Sequence, residues 1–139
     1  CHRLPIYQQE YIGRLFGPLL DRFEVRVSVP PMQLSGMIGS EKGEASPAIA
    51  ARVSEARAAQ MGRQNCLNAH LDGEALYKFA APDSAGQNLL DRIADTKKLS
   101  ARGFNRILRV ARTLAYLDHR DTPSAENIAT AIRWRDITF

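Results

Sequence analysis

The feature that most constrains this chain is a strand without a partner. From Phe23 the sequence reads FEVRVSVPP, in which Val25, Val27 and Val29 alternate with Glu24, Arg26 and Ser28 before Pro30 and Pro31 stop the run. A period of two over this length predicts a β-strand with one apolar face. No second stretch of comparable quality follows it. A lone strand leaves its N–H and C=O groups unpaired, so its ladder must come from residues outside this chain or from another copy. The first residue is Cys rather than Met, and the expectation is a fragment of a longer protein, cut from an α/β domain.

Before the strand, IYQQEYIGRLFGPLLDR reads as one or two short helices interrupted at Gly17 and Pro18. After it, Met32 to Glu44 mixes Gly, Ser, Lys and Glu without periodicity and reads as a flexible linker. The expected organisation is therefore an α/β edge over 1–31, a linker over 32–45 and a helical domain over 46–139.

From Ser46 onward every periodic segment is helical, which makes the chain mainly α. Ser46 with Pro47 reads as an N-cap followed by proline, and Ile49, Val53, Ala56 and Gln60 or Met61 recur at helical spacing as far as about Arg63. Asp72 is expected to cap a short helix carrying Leu76 and Phe79, and Asp83 one carrying Leu89, Leu90 and Ile93. Ser100 caps the next, and Thr122 with Pro123 opens a last helix containing Ile128 and Ile132. About five helices joined by short turns predict a compact bundle, with no internal repeat and no low-complexity tract.

The run LSARGFNRILRVARTLA, Leu99 to Ala115, carries four arginines. On a helix, Phe104, Ile107, Leu108, Ala111 and Leu114 form a core-facing stripe, while Arg102, Arg106, Arg109 and Thr113 fall on another face. Arg106 and Arg109 are expected to be solvated or ion-paired. Arg102 sits in the first turn, where the helix already presents bare N–H groups and the positive end of its dipole. That placement is unfavourable by a few tenths to about 1 kcal/mol unless an anion joins it. Ser100, Arg102 and Gly103 together suit a phosphate, since N–H donors and a guanidinium fork converge there and Gly103 allows close approach. A neighbouring carboxylate or helix-end carbonyl would also resolve the conflict.

Composition sharpens the point. The chain of 139 residues has net charge +4, and fifteen of its nineteen basic residues are Arg. Arg suits phosphate and carboxylate recognition better than Lys does, although a GC-rich genome also favours its codons. No apolar run approaches the roughly 18 residues of a membrane span, and there is no signal peptide, so a cytoplasmic chain without membrane partners is expected. Cys1 beside His2 is too small a set for zinc, and no metal site is expected. Cys66 reads as a packed or inert thiol, and His70 and His119 as surface residues in turns.

GPLLDRFEVRVSVP, a linker, then LNAHLDGEAL and LSARGFNRILRVARTLAYL, in that order, resemble the C-terminal half of the magnesium-chelatase-related AAA+ ATPases, nearest to their competence-type (ComM-like) branch. The resemblance runs from about Arg14 to Arg135. It implies that residues 1–31 are the edge of an ATPase core and 46–139 its helical lid. It also implies that Arg22 of LLDRF is an arginine finger acting in the neighbouring subunit's site. Arg102, with Ser100 and Gly103 beside it, becomes the sensor for the phosphate of the subunit's own ATP. ATP and Mg²⁺ would serve the full-length parent, which would assemble with other subunits into a homo-oligomeric ring, a hexamer, and work on DNA. No GxxxxGK[ST] phosphate loop or Mg²⁺-carboxylate motif occurs, so this chain alone is expected to bind neither cofactor and to hydrolyse no ATP.

Two other classes fit parts of the sequence. A stand-alone basic helical module could bind DNA through Arg102, Arg106, Arg109 and Arg112, although exposed aromatics for base stacking are lacking on that helix. A scaffold or dimerisation piece could pair its valine strand with a second copy.

Overall fold

The computed structural model describes residues 22–31, 43–97 and 99–135. The expected upstream helices and most of the linker lie outside these residues. Five α-helices occupy the remainder: α1 Ser46–Gln64, α2 Gly73–Phe79, α3 Ser84–Lys97, α4 Ala101–Leu117 and α5 Ala125–Arg135, with a 3-10 turn at Asn68–His70. The mainly helical bundle expected from the sequence is what forms.

The expected strand at Phe23–Val29 does not form among the described residues. Nothing there offers a ladder, and the segment instead runs extended beside the end of α5. The Arg26 N–H donates to the Trp134 carbonyl at 2.9 Å, satisfying one of the acceptors that a helix C-terminus leaves open. Phe23, Val25, Val27 and Val29 are all exposed, so the apolar face predicted for the strand is present but uncovered.

Helix starts follow local capping chemistry, with two corrections. The Asp83 carboxylate accepts from the Gly86 N–H at 2.7 Å, and the Ser100 hydroxyl accepts from the Gly103 N–H at 3.1 Å, as expected for caps. Ser46, by contrast, is already helical, and the N-cap of α1 is Ala45 with no side-chain bond. The last helix starts later than Thr122–Pro123 suggests. Ser124 and Asn127 form a reciprocal box there: the Ser124 N–H donates to Asn127 Oδ1 at 3.0 Å, and the Asn127 N–H donates to Ser124 Oγ at 3.3 Å. Asp72 stands at the N-cap of α2 without a side-chain bond.

Helix α4 is the centre of the bundle, packed against α5, α1, α2 and the 3-10 turn, while α3 packs on α5. Ile107, Leu108, Ala111 and Ala115 are buried along it, with Phe104 and Leu114 of the predicted stripe only partly so. Leu76 of α2, Leu90 of α3 and Ile128 of α5 are completely buried against this core. Helix α1 is different: only Ala56 and Gln60 are buried, and Ile49, Val53 and Met61 remain exposed. The bundle covers a narrow strip of α1, less than its sequence periodicity predicts.

That strip is fastened by polar groups. Buried Asn68 receives a hydrogen bond from Gln64 Nε2 at 2.8 Å, gives its backbone N–H to Gln60 Oε1 at 2.9 Å, and donates through Nδ2 to Thr113 Oγ1 at 3.0 Å. Each of these three donors meets an acceptor, which is what makes a buried polar contact stabilising.

Ser100→Ala is expected to remove a cap bond and lower stability by about 1 kcal/mol in a urea titration. No loss would mean that the first turn of α4 is held by its tertiary contacts alone.

Candidate functional site

The N-terminal end of α4 is assembled from two helices. Ser100 caps it, no acidic residue lies in its first turn, and Gly103 occupies the third position. The C-terminal end of α5 reaches the same place. A methyl group added at Gly103 would lie 3.1 Å from Arg135 Nη2 and 3.4 Å from its Cζ. Gly103 is thus small because a guanidinium from α5 rests against it. Sequence reasoning did not find Arg135, because only the antiparallel packing of α5 on α4 brings the two together.

Arg102 is exposed and makes no hydrogen bond or ion pair with the described residues. Among the described residues, no carboxylate answers the electrostatic conflict. The N–H groups of Ala101 and Arg102 likewise carry no bond among the described residues, since Ser100 takes the Gly103 N–H and its carbonyl takes that of Phe104. One turn on, Arg106 is half-buried, and its Nη1 lacks a hydrogen-bond partner among the described residues. The site therefore offers, among the described residues, hydrogen-bond donors and positive charge with no general acid or base. Among the described residues, no group of three or more His, Cys, Asp or Glu could hold a metal ion. Such a donor set suits an anion such as a phosphate group.

The other arginines of α4 do not share this surface. Arg109 Nε donates to the Leu71 carbonyl at 2.6 Å, and its Nη1 lies 3.7 Å from Glu24, so the expected ion pair is present. Arg112 is completely buried, stacks on the Tyr116 ring at 4.0 Å and donates through Nη1 to the Asp121 carbonyl at 2.7 Å. Four arginines presented together to a DNA backbone, as a basic module would require, are not found on this helix.

Arg22 is exposed, with no hydrogen bond or ion pair to the described residues. Glu24, two residues on, is beside Arg109, and Asp21 lies outside the described residues. Cys66 is a free, partly buried thiol packed against the core. His70 and His119 are exposed, His119 in the turn after α4. No helix among the described residues is long and apolar enough to cross a membrane.

Residues 43–135 match the family model of the magnesium chelatase subunit ChlI C-terminal domain. The chain belongs to this family, and its helical bundle is a lid domain of the AAA+ type. It is 35% identical over 129 residues to the uncharacterized protein YifB of Escherichia coli, covering 91% of this chain and 25% of that protein. An uncharacterized Mycobacterium tuberculosis protein is 36% identical over 132 residues, covering 92% of this chain and 26% of its own length. The competence protein ComM of Haemophilus influenzae is 29% identical over 126 residues, with 90% and 25% covered. The chain spans about a quarter of the length of each relative.

Proposed function

We propose that this chain is the lid, with the last edge of the core, of an ATP-driven ring motor, a hexamer working in the cytoplasm. Arg102 reads the phosphate of the subunit's own ATP, and Arg22 reaches as an arginine finger into the neighbouring subunit's site. The observation that carries the reading is Arg102: an exposed guanidinium which, among the described residues, has no carboxylate partner, at a helix N-terminus whose first N–H groups are open to them. A γ-phosphate supplies the missing anion, and the two kinds of donor meet it together. Ser100 keeps the turn wound and Gly103 keeps it narrow. ATP and Mg²⁺ would be held mainly by the rest of the full-length protein, since no phosphate loop occurs in this sequence. The name of the Haemophilus relative, a competence protein, supports DNA as the substrate that the motor acts on.

In a full-length chain containing this domain, Arg102→Ala is expected to slow ATP hydrolysis by about 10- to 100-fold, the worth of one or two charged hydrogen bonds. The defect stays within the mutant subunit. If wild-type subunits mixed into the ring restored hydrolysis at mutant sites, the sensor role would be wrong.

A further inference from the structure

The second concentration of arginine lies at the opposite end of α4, in a cleft of about 350 Å³ between α1 and the turn that joins α4 to α5. Its walls include Arg63 and Glu55 from α1, Arg112 and Tyr116 from α4, and His119, Arg120 and Asp121 from the turn. Arg63 and Arg112 converge on a single acceptor. Arg63 Nη1 donates to the Asp121 carbonyl at 2.8 Å, and Arg112 Nη1 donates to the same oxygen at 2.7 Å. Two cations on one neutral carbonyl repel each other, and neither forms an ion pair with a carboxylate among the described residues.

Arg112 is the group whose position is hardest to account for. It is completely buried, yet among the described residues its Nε and Nη2 have no hydrogen-bond partner. Burial is the main influence on its guanidinium and lowers its pKa; Tyr116 and Asp121 pull it back up, and Arg63 pushes it further down. It remains a cation, because arginine does not lose its proton in proteins. Holding the turn requires only Nη1. The two unused nitrogens form the side-on edge of the guanidinium, whose parallel N–H groups match a pair of oxygens on one anion.

We propose that this cleft is an oxyanion site that takes a phosphate group, bound bidentately by Arg112 Nε and Nη2 and closed over by Arg63. The charges favour phosphate over a carboxylate. Arg63, Arg112 and Arg120 face Glu55 and Asp121, and His119, whose Nδ1 is 3.8 Å from Glu55 Oε1, adds a further charge when protonated. A phosphate can take up that second charge, whereas a carboxylate cannot. Exposed Arg63 is the wall that must swing to admit the ligand, because Arg112 is sealed as the cleft stands.

The test is an NMR titration of the chain with inorganic phosphate at constant ionic strength, following Arg112 Nε–H, the His119 ring and the Asp121 amide. Saturable shifts at all three are expected, and Arg63→Ala is expected to weaken them about tenfold by removing one charged donor. Arg63 is exposed, so this variant keeps the fold, and a thermal melt checks that it does. Arg102→Ala removes any response at the other end of α4 and is expected to leave these shifts unchanged, which separates this site from the nucleotide reading. Absence of saturable shifts, indifference to Arg63→Ala, or equal shifts with acetate would each overturn the proposal.

Discussion

Arg22→Ala in a full-length chain containing this domain is expected to reduce ATP turnover by about 10³-fold or more while nucleotide binding changes little. The size follows from the chemistry of phosphoryl transfer: charge develops on the transferred group, and a guanidinium placed against it stabilises the transition state more than the bound substrate. The geometry of this chain leaves the arginine available. Arg22 is exposed, and Glu24 is engaged two residues on by Arg109 at 3.7 Å. Because Arg22 bonds to none of the described residues, its loss is expected to leave the melting temperature unchanged, which separates a catalytic defect from a folding one. The proposed role in trans gives a sharper signature still. A ring of Arg22→Ala subunits doped with wild-type subunits should regain hydrolysis only at sites that face a wild-type neighbour. Turnover at the wild-type rate in the pure mutant would sink the finger assignment.

The parts of this reading that the sequence carried are those set by local chemistry. The Asp83 and Ser100 caps, the helical period from Ser46 onward and the out-of-place cation at Arg102 all depend on residues within one turn of each other. The valine strand failed for the same reason stated in reverse. Its alternation is real, but a strand exists only as part of a ladder, and Arg26 found a helix-end carbonyl instead. Helix α5 starts beyond Pro123 because the Ser124–Asn127 box satisfies two donors at once. What stayed hidden needed chain reversal. Arg135 meets Gly103 only through the pairing of α4 with α5, and Arg63 meets Arg112 from 49 positions away (112 minus 63) only because α1 folds back along α4. Arg112 shares the sequence pattern of a basic helix surface, yet it is wholly inside. A period of 3.6 shows which residues share a face, but not which faces a third helix will cover.

Ile128→Ala is expected to cost about 2–5 kcal/mol, since a completely buried branched side chain is lost and close-packed neighbours refill the space only in part. Against the roughly 5–15 kcal/mol that holds a domain of this size together, the loss should lower the melting temperature by roughly 10 °C or more. Val53→Ala on α1 removes apolar atoms too, but from a side chain that is 44% exposed; its effect should stay within about 0.5 kcal/mol. The contrast tests the architecture rather than the residue. If α4 and α5 form the core and α1 is fastened chiefly through Gln60, Gln64 and Asn68, stability must be sensitive along the α4–α5 seam and tolerant along the outer face of α1. Ile128 also matters for the site, because α5 carries the Arg135 guanidinium against Gly103. A loosened α5 withdraws that support from the first turn of α4, where Arg102 projects. Equal destabilisation by the two substitutions would mean that the outer face of α1 is packed against something in solution, and the bundle would have to be redrawn with α1 inside it.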